Sequence, residues 1–212
     1  MRRYSVLLCV IISVLLLVIA TLLYPGGSIL DKTSVGFDWS KNFFSNLFLA
    51  RALNGDINPA RIWALAGMVF NSIGYLLFFI HTSRKIPQKH SAMVLKHIGI
   101  INMLFTFLIA TAWHDIMVTV SSTLNMLGLF YITVSVLRTR LYWLKVFCIG
   151  SLLIFYFTLY LYGTGDWGLL AVMQKVSFLC FMLFVLAIEY GTSPEDFQQN
   201  QSDHQTINVP NR

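Results

Sequence analysis

The stretch SVLLCVIISVLLLVIATLLY, residues 5–24, contains no charged side chain and begins two residues after Arg3, which follows Arg2. At 1.5 Å per residue a helix of this length covers about 30 Å, the thickness of the hydrocarbon core of a bilayer. A cleaved signal peptide is the alternative, but its apolar region usually has only about 7–15 residues. We therefore expect Ser5–Tyr24 to be an uncleaved membrane span.

Five further apolar stretches follow, separated by short polar or glycine-rich breaks. They are Ile62–His81, Leu95–Trp113, Val118–Leu137, Tyr142–Tyr162 and Leu169–Tyr190. Only 11% of all residues are charged and 57% are hydrophobic, whereas soluble domains carry about 25% charged residues. This composition excludes a soluble globular enzyme and predicts an all-α bundle of six transmembrane helices over residues 1–190. The polar residues 191–212 are predicted to form a disordered tail.

The basic residues are distributed unevenly between the two sets of loops. Nine lie on one side: Arg2, Arg3, Arg84, Lys85, Lys89, Lys96, Arg138, Arg140 and Lys145. Four lie on the other: Lys32, Lys41, Arg51 and Arg61. Short cytoplasmic loops carry the excess of Lys and Arg, so both termini are predicted to be cytoplasmic in a cell-membrane protein. The net charge of +6 then reflects loops at a membrane surface, and nucleic acid is not an expected partner.

The first outer loop, residues 25–61, is too rich in aromatic residues to be a simple linker. From Ser40 onward, apolar side chains recur near helical spacing, at Phe43, Phe44, Leu47, Phe48 and Leu49, while polar side chains occupy much of the other face, at Lys41, Asn42, Ser45 and Asn46. The pattern predicts a short amphipathic helix in the outer interface, for which Asp38 or Ser40 is the N-terminal cap. This helix either closes the mouth of the bundle or contacts a lipid or substrate.

Three short motifs give the chain a family resemblance. YPGG at 24–27, GFDWSKNFFSNL at 36–47 and GLLAVMQKVSFLCF at 168–181 resemble the six-helix membrane family called domain-of-unknown-function 998, itself similar to the damage-regulated autophagy modulators. The resemblance covers roughly residues 5–190 and implies a six-helix bundle without an agreed activity. The chain departs from the family pattern because Asn46 replaces an acid and Phe48 replaces a glycine.

Lys175 is an ionisable residue about two turns inside the sixth predicted span. Such residues are expensive in lipid and are functional candidates by default. Its ammonium either reaches the outer interface along the flexible side chain or pairs with Asp38, Asp115 or Asp166, or with a lipid phosphate.

The outer half of the predicted bundle contains an unusual number of polar residues. Interhelical hydrogen bonds explain many of them. The alternative is a hydrated outer-leaflet pocket beneath the aromatic loop. Its predicted lining is His114, Asp115, Ser121, Asn125, Gln174 and Lys175.

These observations favour a non-enzymatic protein that binds or organises a lipid or small amphiphile at the outer leaflet. The predicted binding residues are Asp38, Asn42, Phe43, Phe44, Asn46, His114, Asp115, Ser121, Asn125, Gln174 and Lys175. One alternative is an outer-facing enzyme that uses His114 and Asp115 on a lipid-linked substrate, and another is a small transporter subunit. A metal site needs three or four convergent ligands, so neither a metal nor another cofactor is expected. The expected partners are membrane lipids and either a second copy of the chain or another membrane protein.

Overall fold

The computed structural model describes residues 4–109 and 113–198, apart from the side chains of Phe107, His114 and Asp115. In these ranges the chain forms six long α-helices and no β-strand. They are α1 (Ser5–Leu23), α2 (Ala60–Lys85), α3 (Lys89–Leu108), α4 (His114–Leu137), α5 (Tyr142–Thr164) and α6 (Trp167–Gly191), with a 3₁₀ helix at Phe44–Phe48 between α1 and α2. The prediction of an all-α fold is confirmed.

Five of these helices are long and apolar enough to cross a membrane: α1, α2, α5, α6 and the Ile116–Leu137 part of α4. Within the described residues α3 is not among them, so the predicted count of six spans is not confirmed. The helix begins at Lys89, six residues before the predicted span, and its first half also carries Lys96 and His97. These polar residues shorten the apolar part of α3.

The helices pack in chain order, and α6 returns to contact α1 and α2. Small residues allow the closest approaches, as expected in membrane bundles. A Cβ at Gly67 would lie 3.3 Å from the backbone oxygen of Ser13, and one at Gly74 would lie 3.0 Å from the Cβ of Cys9. Gly67 and Gly74 therefore let α2 lie directly against α1. The main core lies deeper in the bundle, where Phe78, Phe79 and Phe184 are fully buried.

Residues 24–59, which we call the first loop, fold back on themselves by backbone pairing. Gly26 forms an isolated antiparallel bridge with Val35, and Arg51 forms one with Ile57. Gly27 has a φ of +81°, and a Cβ there would overlap the backbone of Asn54. A glycine is thus required where the two halves of the first loop meet.

The aromatic part of the first loop contains only one short helix. The 3₁₀ helix Phe44–Phe48 has five residues, so an amphipathic helix lying in a membrane interface is not confirmed. The predicted polar face is wrong at Asn42 and Asn46, because both side chains are buried. A non-helical backbone leaves polar groups without regular partners, and short amide side chains are well suited to bind them.

The first described residues of the predicted tail form a short helical segment. Residues 194–198 are helical, and Asp196 accepts hydrogen bonds from the backbone and hydroxyl of Ser193 at 2.7 and 3.0 Å. Phe197 is buried in the main core. Phe197 therefore anchors the start of the tail to the core, although the composition of the tail is mostly polar.

Candidate functional site

The first loop is held in place by two buried asparagines. Asn42 is fully buried; its Nδ2 donates to the carbonyl oxygen of Gly27 at 2.6 Å, and its Oδ1 accepts from the backbone of Asp38 at 2.8 Å. Oδ1 of Asn46 accepts from the backbone of Phe43 at 2.7 Å. Asn42 and Asn46, both predicted to bind a ligand, therefore bind the protein's own backbone.

Asp38, also a predicted binding residue, organises the turn that follows it. Its carboxylate accepts from the backbone and the hydroxyl of Ser40 at 2.8 and 2.6 Å. Nζ of Lys41 lies 3.7 Å from Asp38 and 3.9 Å from Asp31. The hydroxyl of Ser40 is the largest cause that lowers the pKa of Asp38. This carboxylate stabilises a turn at the protein surface.

Two successive residues of α6 attach the first loop to the bundle. Oε1 of Gln174 accepts from the backbone of Phe44 at 2.9 Å. Nζ of Lys175 donates to the carbonyl oxygens of Asn42 at 2.5 Å and Ala171 at 2.6 Å. It also lies 5.8 Å from the ring centre of Phe44, a cation–π distance. The Lys175 ammonium is thus engaged by loop backbone and aromatic rings.

Two adjoining cavities lie beneath the first loop. One has a volume of about 260 Å³ and the other about 370 Å³. We call them the inner chamber and the mouth. Both are lined by Ser45, Val118, Ser122, Thr158, Leu159 and Gln174. Together they fall within the range of about 300–1,000 Å³ that is typical of small-molecule sites.

The mouth lies at the surface between α4, α5, α6 and the first loop. Its lining includes Tyr162 and Trp167, which are 39% and 43% exposed, and Ile29, which is 48% exposed. The inner chamber is lined instead by buried residues such as Tyr75, Ser121 and Ser177, and it is covered by Phe44, Ser45 and Phe48 of the 3₁₀ helix. Both cavities are partly open to the outside of the protein, and the first loop lies against both.

One wall of the inner chamber has a hydrogen-bond network between α3 and α4. Nδ2 of Asn102 donates to Asn125 at 2.9 Å, and the hydroxyl of Ser121 donates to Oδ1 of Asn102 at 2.7 Å. The hydroxyl of Thr106 lies 3.3 Å from that of Ser121. Of the predicted pocket residues, Ser121, Asn125 and Gln174 do line the chamber. Ser121 and Asn125 also link α4 to α3, and Gln174 links α6 to the first loop.

The opposite wall of the chamber, on α2, has polar atoms that lack partners. Oδ1 of Asn71 and the hydroxyl oxygen of Tyr75 have no hydrogen bond of standard geometry to any residue that the structure describes, and both oxygens are enclosed by protein and not exposed to the chamber. The side chains are one helical turn apart, and both line the inner chamber. The predicted pocket lining includes neither Asn71 nor Tyr75. Their i, i+4 spacing was the available signal.

The predicted catalytic pair cannot be placed. The side chains of His114 and Asp115, at the start of α4, lie outside the part of the chain that the structure describes. Among the described side chains, no group of three or more His, Cys, Asp or Glu residues is arranged to hold a metal ion.

A second polar cluster lies at the other end of the bundle from the first loop. Nδ1 of His81 is 2.6 Å from Oε1 of Glu189. Nζ of Lys85 donates to the backbone oxygens of Ile188 and Glu189 at 3.1 and 2.6 Å, and to the hydroxyl of Thr192 at 3.4 Å. This cluster joins α2 to the end of α6 and to the ordered start of the tail.

Comparison of the chain with family models, curated proteins and solved structures finds no match. The cavity, its covering loop and the polar atoms on its walls are therefore the basis for a functional hypothesis.

Proposed function

We propose that this protein is an integral membrane protein that binds a lipid or small amphiphile from the outer leaflet. The observation that carries the proposal is the pair of adjoining cavities beneath the first loop, which extend from a surface mouth to a chamber lined by Asn71 and Tyr75. Sites for small molecules are concave and mostly apolar, with a few polar groups that fix orientation. The cavity pair has these properties.

The topology proposed with this function has six spans, with α3 as the sixth. Its support is that α3 packs between α2 and α4, both of which contain segments long and apolar enough to cross a membrane. The basic residues Lys89 and Lys96 are then near the cytoplasmic surface, in agreement with the positive-inside rule. The first loop and the mouth are consequently on the outer side of a cell membrane, and both termini are cytoplasmic.

An amphiphile fits this site better than a water-soluble ligand does. The mouth lies between helices, and Tyr162 and Trp167 at its edge are aromatic residues of the kind that are enriched at membrane interfaces. On the side of the first loop, the chamber is covered by Phe44 and Phe48. Phe43 lines the mouth. We propose that these loop aromatics contact the occupant, while Asn42, Asn46 and Lys175 maintain the loop.

The topology has its own test, which uses single cysteines and a membrane-impermeant maleimide on intact cells. Lys32→Cys in the first loop and Lys89→Cys at the start of α3 replace exposed side chains. Background from Cys9, Cys148 and Cys180 is measured in the parent protein. Labelling of Lys32→Cys alone supports the proposed orientation, whereas labelling of Lys89→Cys alone contradicts it.

Photo-crosslinking in cells tests the binding site. A benzophenone amino acid at Leu159, which lines both cavities, should crosslink to one enriched lipid or amphiphile class. The control is the same replacement at Leu179 on α6, which is 59% exposed and should sample bulk lipid. The same lipid composition at the two positions, or no small-molecule adduct at Leu159, would contradict the proposal.

The resemblance to domain-of-unknown-function 998 and the association with a second copy or another membrane protein remain predictions. Neither prediction adds a biochemical activity to the proposed function.

A further inference from the structure

The inner chamber and the mouth meet in a space that we call the junction. It is bounded by the six residues that line both cavities: Ser45, Val118, Ser122, Thr158, Leu159 and Gln174. They belong to the 3₁₀ helix, α4, α5 and α6. Four of the six have polar side chains, and the rest of the two linings is mainly apolar and aromatic. At the junction a headgroup meets polar side chains, while a hydrocarbon chain has apolar contacts beside it.

Three polar atoms at the junction are accessible and have unused hydrogen-bonding capacity. Oγ of Ser45, Oγ of Ser122 and Nε2 of Gln174 have no hydrogen bond to any residue that the structure describes, and none of the three is enclosed by protein. The oxygens of Asn71 and Tyr75, by contrast, are enclosed and are not available to an occupant. A polar group of an occupant can therefore bind at the junction.

The first loop determines the orientation of the Gln174 amide. Its Oε1 accepts from the backbone N–H of Phe44 at 2.9 Å. The amide nitrogen cannot take this place, because it only donates hydrogen bonds, so the positions of the two amide atoms follow from the network. Nε2 consequently has two N–H donors for an occupant. The group that these donors suit is an oxygen acceptor such as a carbonyl.

The described linings of both cavities contain no charged side chain. Lys175, next to Gln174 in the chain, is not part of either lining and donates to the carbonyl oxygens of Asn42 and Ala171 instead. An anion moved into such a site loses its hydration without gaining a counter-ion. The junction therefore suits an uncharged headgroup better than a phosphate or a carboxylate.

From these atoms we infer that the junction binds an uncharged amphiphile whose headgroup has a carbonyl oxygen and a hydroxyl. The inference rests on the proposed function and narrows its ligand class. The carbonyl oxygen accepts from Nε2 of Gln174. The hydroxyl forms hydrogen bonds with Ser45 and Ser122, because hydroxyls both donate and accept. The hydrocarbon chain lies against apolar lining residues such as Phe155 and Phe181.

The test compares three photoreactive probes on the full chain in lipid nanodiscs. The probes share a 16-carbon diazirine-bearing chain and end in a glycerol monoester, a primary alcohol or a carboxylate. The monoester has a carbonyl and hydroxyls, the alcohol lacks the carbonyl, and the carboxylate is charged. Labelled peptides are identified by mass spectrometry. We expect the monoester to label Leu159 at least about fivefold more than either other probe, a difference that one hydrogen bond of ordinary net strength explains.

Two variants test the two kinds of headgroup contact. Gln174→Glu keeps an oxygen that accepts from Phe44 but, when ionised at pH 8, has no donor for the ligand carbonyl. It should lower labelling by the monoester about fivefold. Ser122→Ala removes a hydroxyl that binds no described residue, and it should lower labelling by a similar factor.

The matched controls lie outside both cavity linings. Gln88→Glu, just before α3, and Ser135→Ala, on the same helix as Ser122, should label like the wild type. Unchanged amide exchange at Phe44 in Gln174→Glu shows that the first loop is still attached to α6. Because the Ser122 hydroxyl has no described partner, Ser122→Ala should keep the Tm of the wild type, so lost labelling would not reflect misfolding.

The outcomes separate this inference from the proposed function. Equal labelling of the cavity by all three probes, or undiminished monoester labelling in either variant, would overturn the headgroup inference and leave an amphiphile site. Absence of cavity labelling by every probe would overturn both proposals.

Discussion

The ammonium of Lys175 on α6 donates to the carbonyl oxygen of Asn42, a residue 133 positions earlier in the chain, at 2.5 Å. This bond joins the first loop to the bundle above the cavity. The adjacent Gln174 binds the loop backbone as well. The lysine that the sequence marks as a ligand-binding candidate is thereby an anchor for the segment that covers the site.

Lys175→Met should loosen the first loop. The substitution keeps an unbranched side chain but leaves the carbonyl of Asn42 without its charged donor, and hydrogen bonds to charged groups contribute about 1.5–3 kcal/mol. We expect a lower Tm in nanodiscs and faster amide exchange in residues 41–48. Lys41→Met, which removes only partly exposed ion pairs, should change the Tm little. Unchanged exchange in Lys175→Met would refute the anchoring role.

Asn42→Ala should destabilise the first loop by about 1–3 kcal/mol. The variant removes the donor to the carbonyl of Gly27 and the acceptor for the backbone of Asp38 in a fully buried position. Thermal unfolding measures the effect. Asn54→Ala, which removes a more exposed contact with Asp56, is the control. Equal Tm changes in the two variants would show that the burial of Asn42 is unimportant.

His81 and Glu189 should be energetically coupled. Their side chains are 25% and 8% exposed and lie 2.6 Å apart, and removal of one partner leaves a nearly buried carboxylate or an unpaired imidazole. A double-mutant cycle with His81→Ala and Glu189→Gln should give a coupling energy of about 0.5–3 kcal/mol, the usual range for residues in contact. Additive effects of the two substitutions on unfolding would contradict this coupling.

The stability of the first loop should decrease in acid. The pKa of Asp38 lies below its ordinary value of 3.8, mainly because Ser40 donates to the carboxylate, and the pKa of Asp31 is lowered chiefly by Thr33. A carboxylate with a depressed native pKa stabilises the fold above its unfolded-state pKa, and this stabilisation is lost as the pH falls through the native value.

The expected result is a Tm that falls as the pH drops below about 4, and a smaller fall in the double variant Asp31→Asn, Asp38→Asn. Thermal unfolding in nanodiscs at pH 3 and pH 6 measures both. An identical pH dependence in the wild type and the double variant would contradict the role of these two carboxylates.

Much of the fold can be predicted from the sequence, because long apolar runs determine helices in a membrane protein. The α5 helix begins at Tyr142 as predicted, and α1 ends one residue before the predicted end. The start of α3 could not be predicted in the same way, because Lys89 and His90 belong to the helix although they are polar. Phe197 was missed because one aromatic residue in a polar segment gives no periodic signal.

The candidate site was predictable only in part. A polar lining at Ser121, Asn125 and Gln174 follows from the composition of the apolar runs. The inward orientation of Asn42 cannot be predicted from composition, because it depends on the path of a loop without regular secondary structure. The position of Tyr75 in the chamber lining also depends on packing, since a tyrosine in an apolar helix has the same local sequence pattern whether it faces lipid, core or cavity.

The central claim is that the cavity beneath the first loop holds an amphiphile, and native mass spectrometry of protein released from nanodiscs tests it most directly. Three proteins are compared: the wild type, Ser122→Phe, which places a ring in the space common to the chamber and the mouth, and Leu153→Phe at a position 63% exposed on α5. The account predicts a retained small-molecule mass in the wild type and in Leu153→Phe, and its loss in Ser122→Phe. A wild type without a retained mass, or a mass that persists in Ser122→Phe, would contradict it.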